Sequence, residues 1–209
     1  MFFELTELLA CPGCGPAHGL VLLVKDVEDR RVSSGWLGCP ECRRDYPVRD
    51  GVADLRLEPD SADAGAGREE PLEEDELALK IAALCGLRDG PGYLLVVGRL
   101  AHTAPGLSEL LPGVEIIALK RFPDEVREVP GVSRVLSDMR FPLVDHRLRA
   151  VALAPGADPE QVAAASRLVA VGGRLVLFEA SDTDTEGAER SGLKIVARQG
   201  RVAVAERNA

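Results

Sequence analysis

The sequence predicts an α/β protein: a small, metal-held β domain followed by a doubly wound, mostly parallel sheet of about seven strands. Two Cys-x-x-Cys pairs lie within the first 42 of the 209 residues. From residue 93 onward, short aliphatic runs alternate with helical segments, which is the rhythm of βαβ units. Only residues 198 to 201 separate the last two aliphatic runs, so we expect the sheet to end in an antiparallel hairpin.

The two cysteine pairs predict a structural zinc ribbon. Two intervening residues let a tight turn aim both thiolates at one ion, and the tetrahedral preference of zinc requires the two turns to meet. Four thiolates leave no position for an activated water, so the metal is expected to be structural. Two disulfides or a redox pair are the alternatives, although nothing in the sequence indicates export. The predicted ligands are Cys11, Cys14, Cys39 and Cys42.

Two hairpins are expected in the ribbon. Leu20–Val24 and Trp36–Gly38 are the arms of the first, with the polar stretch 25–35 as their loop. Tyr46–Leu55 forms the second and turns at the dipeptide Asp50-Gly51, a strong turn signal.

Leu8–Cys14 and Gly38–Leu55 resemble the zinc-ribbon family of methyltransferase activators, which includes the eukaryotic and archaeal activator subunit and the short bacterial YcaR-like proteins. The resemblance covers residues 1–57. In that family the ribbon binds and stabilises a Rossmann-type methyltransferase, so the resemblance implies a protein partner. An unrelated ribbon that serves only as a folding staple is the alternative.

Composition divides the chain into a ribbon domain (1–57), an acidic flexible linker (58–71) and a second domain (72–209). The linker is small, polar and Gly-rich, without periodicity. After it, Glu73–Glu76 is expected to open a helix, in which Cys85 is a core residue. The net charge of −9 is concentrated in residues 58–80, with two basic against nine acidic residues. No broad basic face remains to indicate a nucleic-acid partner.

The second domain carries seven aliphatic runs that we interpret as strands. They are Tyr93–Val97, Val114–Leu119, Val132–Leu136, Arg149–Leu153, Arg174–Phe178, Leu193–Ala197 and Val202–Ala205. A helix is expected over Pro159–Val171 with Asp158 as its N-cap. The acidic stretch 182–189 is expected to be a solvated loop.

This order of elements, together with two segments, resembles class I S-adenosylmethionine-dependent methyltransferases over residues 72–209. Ala170–Glu179 is similar to the family's Pro-Gly-Gly-strand signature, with Val171 in place of the proline. Ser137–Leu143 is similar to the segment that holds the adenine-contacting acid, which would be Asp138. The resemblance implies a Rossmann-like sheet with cofactor-binding residues at Gly98 and Asp138.

Four departures at the implied cofactor site predict that S-adenosylmethionine binding is lost. The family pattern acid-x-Gly-x-Gly-x-Gly is here Val96–His102, in which only Gly98 survives and Leu100 and His102 replace glycines. Lys120 stands where an acid would bind the ribose hydroxyls. The strand ending at 153 lacks the Asn/Asp-Pro-Pro-aromatic motif. We therefore treat Gly98 and Asp138 as vestigial and assign no catalytic residue.

The favoured hypothesis is a non-catalytic zinc-binding scaffold or regulator, with a methyltransferase or a second copy of the chain as partner. The alternative is an active methyltransferase acting on RNA or protein, in which the ribbon recognises the substrate; bacterial ribosomal-RNA guanine methyltransferases also place a zinc ribbon first. The N-terminus lacks the basic region of a signal peptide, and no apolar run approaches the length of a membrane span, so a cytoplasmic location is expected.

Overall fold

The computed structural model describes residues 1–58, 76–123, 128–138 and 140–208. Thirteen strands lie in these ranges: β1 (Ala10–Cys11), β2 (Gly15–Gly19), β3 (Val21–Glu28), β4 (Arg31–Gly38), β5 (Asp45–Arg49), β6 (Val52–Asp54), β7 (Gly92–Val97), β8 (Val114–Lys120), β9 (Val132–Leu136), β10 (Leu148–Leu153), β11 (Val169–Leu177), β12 (Lys194–Gln199) and β13 (Val202–Glu206). The described α-helices are α1 (Leu77–Cys85), α2 (Ala104–Leu110), α3 (Pro159–Leu168) and α4 (Asp182–Arg190), and two 3₁₀ helices are η1 (Phe3–Glu7) and η2 (Gly98–Thr103).

Strands β3 to β13 form one sheet of eleven strands in the order β12-β13-β11-β10-β7-β8-β9-β6-β5-β4-β3. The block from β11 to β9 is parallel, and β12 and β13 form an antiparallel hairpin at its end. The prediction of a mostly parallel sheet with a C-terminal hairpin is therefore confirmed.

The sheet is doubly wound because its central strands are apolar on both faces. Along β7, Leu94 and Val96 lie in the core that α1 and α2 cover, whereas Leu95 and Val97 lie in the core that α3 and α4 cover. This alternation follows from the two-residue period of a strand.

The ribbon continues the same sheet. Strand β6 pairs in parallel with β9, with Val52 opposite Arg134 and Asp54 opposite Leu136. Beyond β6, the antiparallel strands β5, β4 and β3 extend the sheet to its edge. The composition predicts a separate ribbon domain, and nothing in the strand patterns predicts that the two parts share backbone hydrogen bonds.

The N-terminal residues of the ribbon also cover part of the sheet face. The connection from β9 to β10, residues 137–147, contains no helix among its described residues. Leu5 and Leu9, in and just after η1, lie instead in the same buried core as Ile117 and Val135. A parallel sheet must be covered on both faces, so the ribbon supplies cover that a crossover helix would otherwise give.

The first hairpin of the ribbon differs from its prediction. Residues 25–35 are not a loop, because β3 runs to Glu28 and β4 begins at Arg31. The turn is only Asp29-Arg30, and both residues have positive φ (45° and 62°), as a two-residue hairpin turn of type I′ requires. Polar residues are tolerated in β3 because most of this edge strand is exposed.

Two boundaries in the second domain also differ. Helix α3 ends at Leu168 rather than Val171, because Val169 already pairs with Leu148 in the sheet. The stretch 182–189 lies in helix α4 rather than in a loop, and its N-cap Ser181 exchanges hydrogen bonds with Asp184 in a capping box. The predicted linker, apart from Glu58, and the helix start at residues 73–75 lie outside the described residues. No helix in the described part of the chain is long and apolar enough to cross a membrane.

Candidate metal centre and cofactor cleft

The four predicted zinc ligands meet at one point in the ribbon. Cys11 ends β1 and Cys14 lies in the turn after it, while Cys39 and Cys42 lie between β4 and β5. Their sulfur atoms all lie within 4.8 Å of one another. The Sγ–Sγ distance is 3.7 Å for Cys11 and Cys42, and 3.8 Å for Cys14 and Cys39. A tetrahedral site with Zn–S bonds of about 2.3 Å has edges of about 3.8 Å, so the cluster fits zinc.

The surroundings of the sulfurs favour a thiolate at Cys11 but oppose one at Cys14. Burial raises the pKa of Cys11, but hydrogen bonds from the Tyr46 hydroxyl and from the backbone N–H groups of Cys14 and Gly13 lower it to about 6 overall. The Tyr46 oxygen lies 3.4 Å from Cys11 Sγ. The hydrogen bond with Cys42, together with desolvation, raises the pKa of Cys14 to about 12. Metal binding therefore has to displace protons from this cluster.

The fifth cysteine is separate from the metal centre. Cys85 is 3% exposed at the end of α1, and burial raises the pKa of its thiol to about 12. It is the core residue that the sequence predicts, and its protonated thiol is expected to be unreactive in the folded protein.

The turn after β7, which the methyltransferase resemblance identifies as the cofactor loop, is folded as η2. Gly98 begins it with φ +61°, a backbone conformation that residues other than glycine rarely adopt. Leu100 is fully buried in the core that α1 and α2 cover. Thr103 Oγ1 donates to the Leu100 carbonyl at 2.8 Å, and His102 Nδ1 lies 2.6 Å from the Arg99 carbonyl oxygen.

This turn packs on β7, β8 and β10. The point between β7 and β10 is where the strand order reverses, and ligands of doubly wound sheets usually bind there. A buried leucine in η2 therefore lies in the part of the fold where a cofactor would be expected.

Asp138 lies just after β9, as predicted, but its carboxylate contacts the ribbon. Its Oδ2 accepts a hydrogen bond of 2.8 Å from the backbone N–H of Leu57. Lys120 is the last residue of β8, and its carbonyl accepts from the Ser137 N–H at 2.9 Å. Lysine thus occupies the strand end where the resemblance implies an acid.

The contact of Asp138 with the ribbon leads to a prediction about stability. We expect Asp138→Ala to lower the free energy of unfolding by about 1–2 kcal/mol, because the partly buried Leu57 N–H loses a charged acceptor. Asp138→Asn should recover most of this loss, since its amide oxygen can accept the same bond. Urea unfolding of the zinc-loaded variants measures both values. Equal stability of the alanine variant and the wild type would show that this bond does not hold the ribbon.

A cleft of about 480 Å³ lies beside Asp138, between the first cysteine turn, the segment after β9 and the start of α3. Its lining includes Cys11, Pro12, Asp138, Arg140, Asp158 and Arg167. Arg140 donates to the Pro12 carbonyl, and Arg167 forms an ion pair with Asp145. The two guanidinium groups that line the cleft therefore already have protein partners.

A second cavity of about 190 Å³ lies at the ends of β10 and β11. Neither cavity is lined by a residue of η2 or by Lys120. Gly98 and Asp138 therefore do not both line either of these two cavities in the described part of the chain.

An ion pair that the sequence patterns do not predict joins the ribbon to the sheet. Arg31, the first residue of β4, donates to both carboxylate oxygens of Glu115 in β8, at 2.5 and 2.7 Å. Ser133 in β9 donates to the same carboxylate at 2.6 Å and accepts from the Phe2 N–H at 2.8 Å. The available signal was Glu115 itself, because a lone acid within a buried strand requires a partner.

No protein-family model and no curated protein matches the chain. Solved structures similar to it include precorrin-6y C5,15-methyltransferase from Geobacter metallireducens, at 18% identity and a TM-score of 0.50, covering 70% of this chain and 95% of that one. Another is a complex between the Haloferax volcanii Trm112 methyltransferase activator and a candidate methyltransferase, at 12% identity and a TM-score of 0.50, covering 63% of this chain and 90% of that one.

At these identities, the comparisons show that the fold is that of Rossmann-like class I methyltransferases. This fold is compatible with S-adenosylmethionine. The comparisons therefore give no support to the expectation that the cofactor is unlikely, and that expectation rests on the residues of this chain.

Proposed function

We propose that the chain is a non-catalytic, zinc-dependent scaffold or regulator built on a methyltransferase fold. The observation that carries the proposal is the full burial of Leu100 in the turn after β7. Cofactor binding at that turn requires close approach to the backbone, which glycines permit and a packed leucine side chain prevents. Exposing Leu100 to make room would cost about 1.5–3 kcal/mol of burial energy before any ligand contact formed.

Asp138 supports the same proposal. Its carboxylate holds the end of the ribbon through the Leu57 N–H, so binding of an adenine amino group would have to compete with an internal hydrogen bond. Lys120 adds a positive charge where the neutral ribose hydroxyls would need an acceptor. Asp138, one of the two residues that we regard as vestigial cofactor contacts, thus has a structural role in this chain.

The ribbon is proposed to stabilise the second domain of the same chain. The resemblance to activator ribbons implies a module that stabilises a methyltransferase fold, and here β6 pairs with β9 of the same chain. Because that edge is occupied, a separate methyltransferase could not bind through β6 without displacing β9. A protein partner would have to use another surface of the ribbon.

Calorimetric titration with S-adenosylmethionine tests this proposal. For the zinc-loaded full chain we expect no saturable heat up to about 1 mM ligand, a limit that corresponds to about −4 kcal/mol of binding free energy. Zinc content and circular dichroism of the same sample establish that it is folded. Saturable binding in the micromolar range would overturn the non-catalytic proposal.

The second candidate is an active S-adenosylmethionine-dependent methyltransferase acting on RNA or protein. It is favoured by the fold and by the 480 Å³ cleft, which has a volume typical of small-molecule sites and lies beside the ribbon. Micromolar binding in the titration would select this candidate if Asp138→Ala abolished it and Asp182→Ala, at an exposed position of α4, left it unchanged.

A further inference from the structure

The outer face of the ribbon sheet carries large apolar side chains that are about half exposed. Val21 is 54% exposed, Leu23 57% and Trp36 48%. In the strand register, Leu23 lies opposite Trp36, and Trp36 lies opposite Pro47. Residues directly opposite each other in a sheet share a face, so Leu23, Trp36 and Pro47 form one row across β3, β4 and β5. Val21 lies on the same face because it is two residues before Leu23 in β3. We call Val21, Leu23, Trp36 and Pro47 the Trp36 face.

The Trp36 face is similar in size to the largest apolar patches on soluble monomers. Half-exposed side chains of this size present apolar area on the order of 300–400 Å², comparable to the largest patch on a typical monomer, which is often functional. Two such faces with their polar surroundings reach the roughly 1,000 Å² that a specific interface needs. Aromatic residues near the centre of a patch are also frequent anchors of protein interfaces.

The geometry favours packing through the face over pairing along the edge. Strand β3 is the last strand of the sheet, so its outer backbone groups have no strand partner within the described residues. Its ladder with β4 is irregular between Val24 and Val27, and charged Lys25 and Asp26 lie at that irregularity. Bulges and charges of this kind oppose the addition of another strand. Two flat apolar faces can instead stack about 10 Å apart, as in a β-sandwich.

The charges around the face indicate what covers it. Residues 21–49 contain six basic and five acidic residues, although the whole chain has a net charge of −9. Arg31 is paired with Glu115, so five basic and five acidic residues remain in this part of the ribbon, a balance that offers no steering to a strongly charged partner. It does suit an identical surface related by a two-fold axis, since each sign can meet its opposite.

We propose that the Trp36 face binds the same face of a second copy of this chain, forming a two-fold dimer. This inference deepens the proposed scaffold function, on which it rests, by naming its partner. Trp36 packs at the centre of the interface, and the hairpin charges form its rim. The dimer leaves the β6–β9 junction and the metal centre unchanged, because neither includes a residue of the Trp36 face.

Trp36 is the only tryptophan of the chain, so its fluorescence reports directly on this face. On dilution of the zinc-loaded protein from about 100 to 0.1 µM, we expect the emission to shift to longer wavelength as the indole enters water. Light scattering over the same range should show the mass fall from twice 22.3 kDa to 22.3 kDa. A mass of 22.3 kDa and constant emission at all concentrations would overturn the proposal.

The variant Leu23→Lys locates the interface while keeping the tryptophan. Because Leu23 is 57% exposed, its replacement should leave the thermal unfolding midpoint close to that of the wild type. We expect it to weaken dimerisation at least about 10-fold. The matched control Val171→Lys changes a residue that is 66% exposed outside the Trp36 face and should dimerise like the wild type.

A dimer that survives Leu23→Lys, or that Val171→Lys weakens equally, would overturn the assignment to the Trp36 face. These results are distinguishable from failure of the scaffold proposal. That proposal fails on cofactor binding by calorimetry, which does not depend on the mass of the protein.

Discussion

The substitution Cys42→Ser is expected to unfold the ribbon and to destabilise the whole chain. Zinc contributes about 10–16 kcal/mol to the folding of small zinc-finger peptides, which equals or exceeds the total stability of about 5–15 kcal/mol of a typical domain. Cys42 is exposed, so serine at this position costs little packing and the effect isolates the metal. Zinc analysis should fall from one ion per chain, and thermal unfolding should begin well below the wild-type midpoint.

The control for this prediction is the fifth cysteine. Cys85→Ala removes a buried sulfur that is not part of the cluster, and we expect a loss of about 1 kcal/mol with zinc content unchanged. Thiol titration adds a second readout. The zinc-loaded wild type should show no reactive thiol, and chelation of zinc should make the four ligand thiols reactive. Denaturation should then expose the fifth thiol, that of Cys85. If Cys42→Ser retained full zinc and were no less stable than Cys85→Ala, the metal centre would be wrong.

The second large effect is expected at the ion pair between Arg31 and Glu115. The Glu115 side chain is 8% exposed and that of Arg31 21%, so removing one partner leaves the other charge largely buried. Breaking such a pair typically costs about 3–5 kcal/mol. We expect Glu115→Met to cost about 3 kcal/mol, the lower end, because Arg31 retains some solvent and its contact with the Val132 carbonyl. Urea unfolding measures the loss.

A double-mutant cycle separates the interaction energy of the ion pair from the packing effects of each substitution. Arg31→Met combined with Glu115→Met should be more stable than Glu115→Met alone, because two apolar side chains need no charge partner. As a surface reference, Arg198→Ala breaks an exposed pair with Asp182 and should cost less than about 1 kcal/mol. Strict additivity of the two Met substitutions would show that the ion pair does not couple the ribbon to the sheet.

The sequence predicts well what depends on local chemistry. The cysteine spacing identifies the four residues that the structure brings together, and the aliphatic runs locate β7 to β13 to within a few residues. The Asp50-Gly51 turn and the Asp158 cap are also found where they are expected. The signal for each of these features is a pattern that spans only a few consecutive residues, so a single sequence is enough to identify it.

The remainder depends on contacts between distant residues. The pairing of β6 with β9 joins residues about 80 positions apart, and no pattern in either strand specifies the other. The hydrogen bond between Asp138 and Leu57 is equally distant in sequence. Helix α4 differs from its prediction for another reason. The acidic composition of residues 182–189 favours a solvated loop, whereas the capping signal Ser181-x-x-Asp184 indicates the start of a helix.

Hydrogen exchange at the junction of the two parts tests most directly the claim that the ribbon stabilises the sheet. The Val144 N–H donates to the Leu8 carbonyl, so its protection reports docking of the ribbon. We predict that removal of zinc abolishes protection at Val144 and raises exchange throughout β9, relative to β11 at the far side of the sheet. If Val144 and β9 keep their protection while only residues 10–42 exchange, the claim that the ribbon stabilises the sheet is wrong.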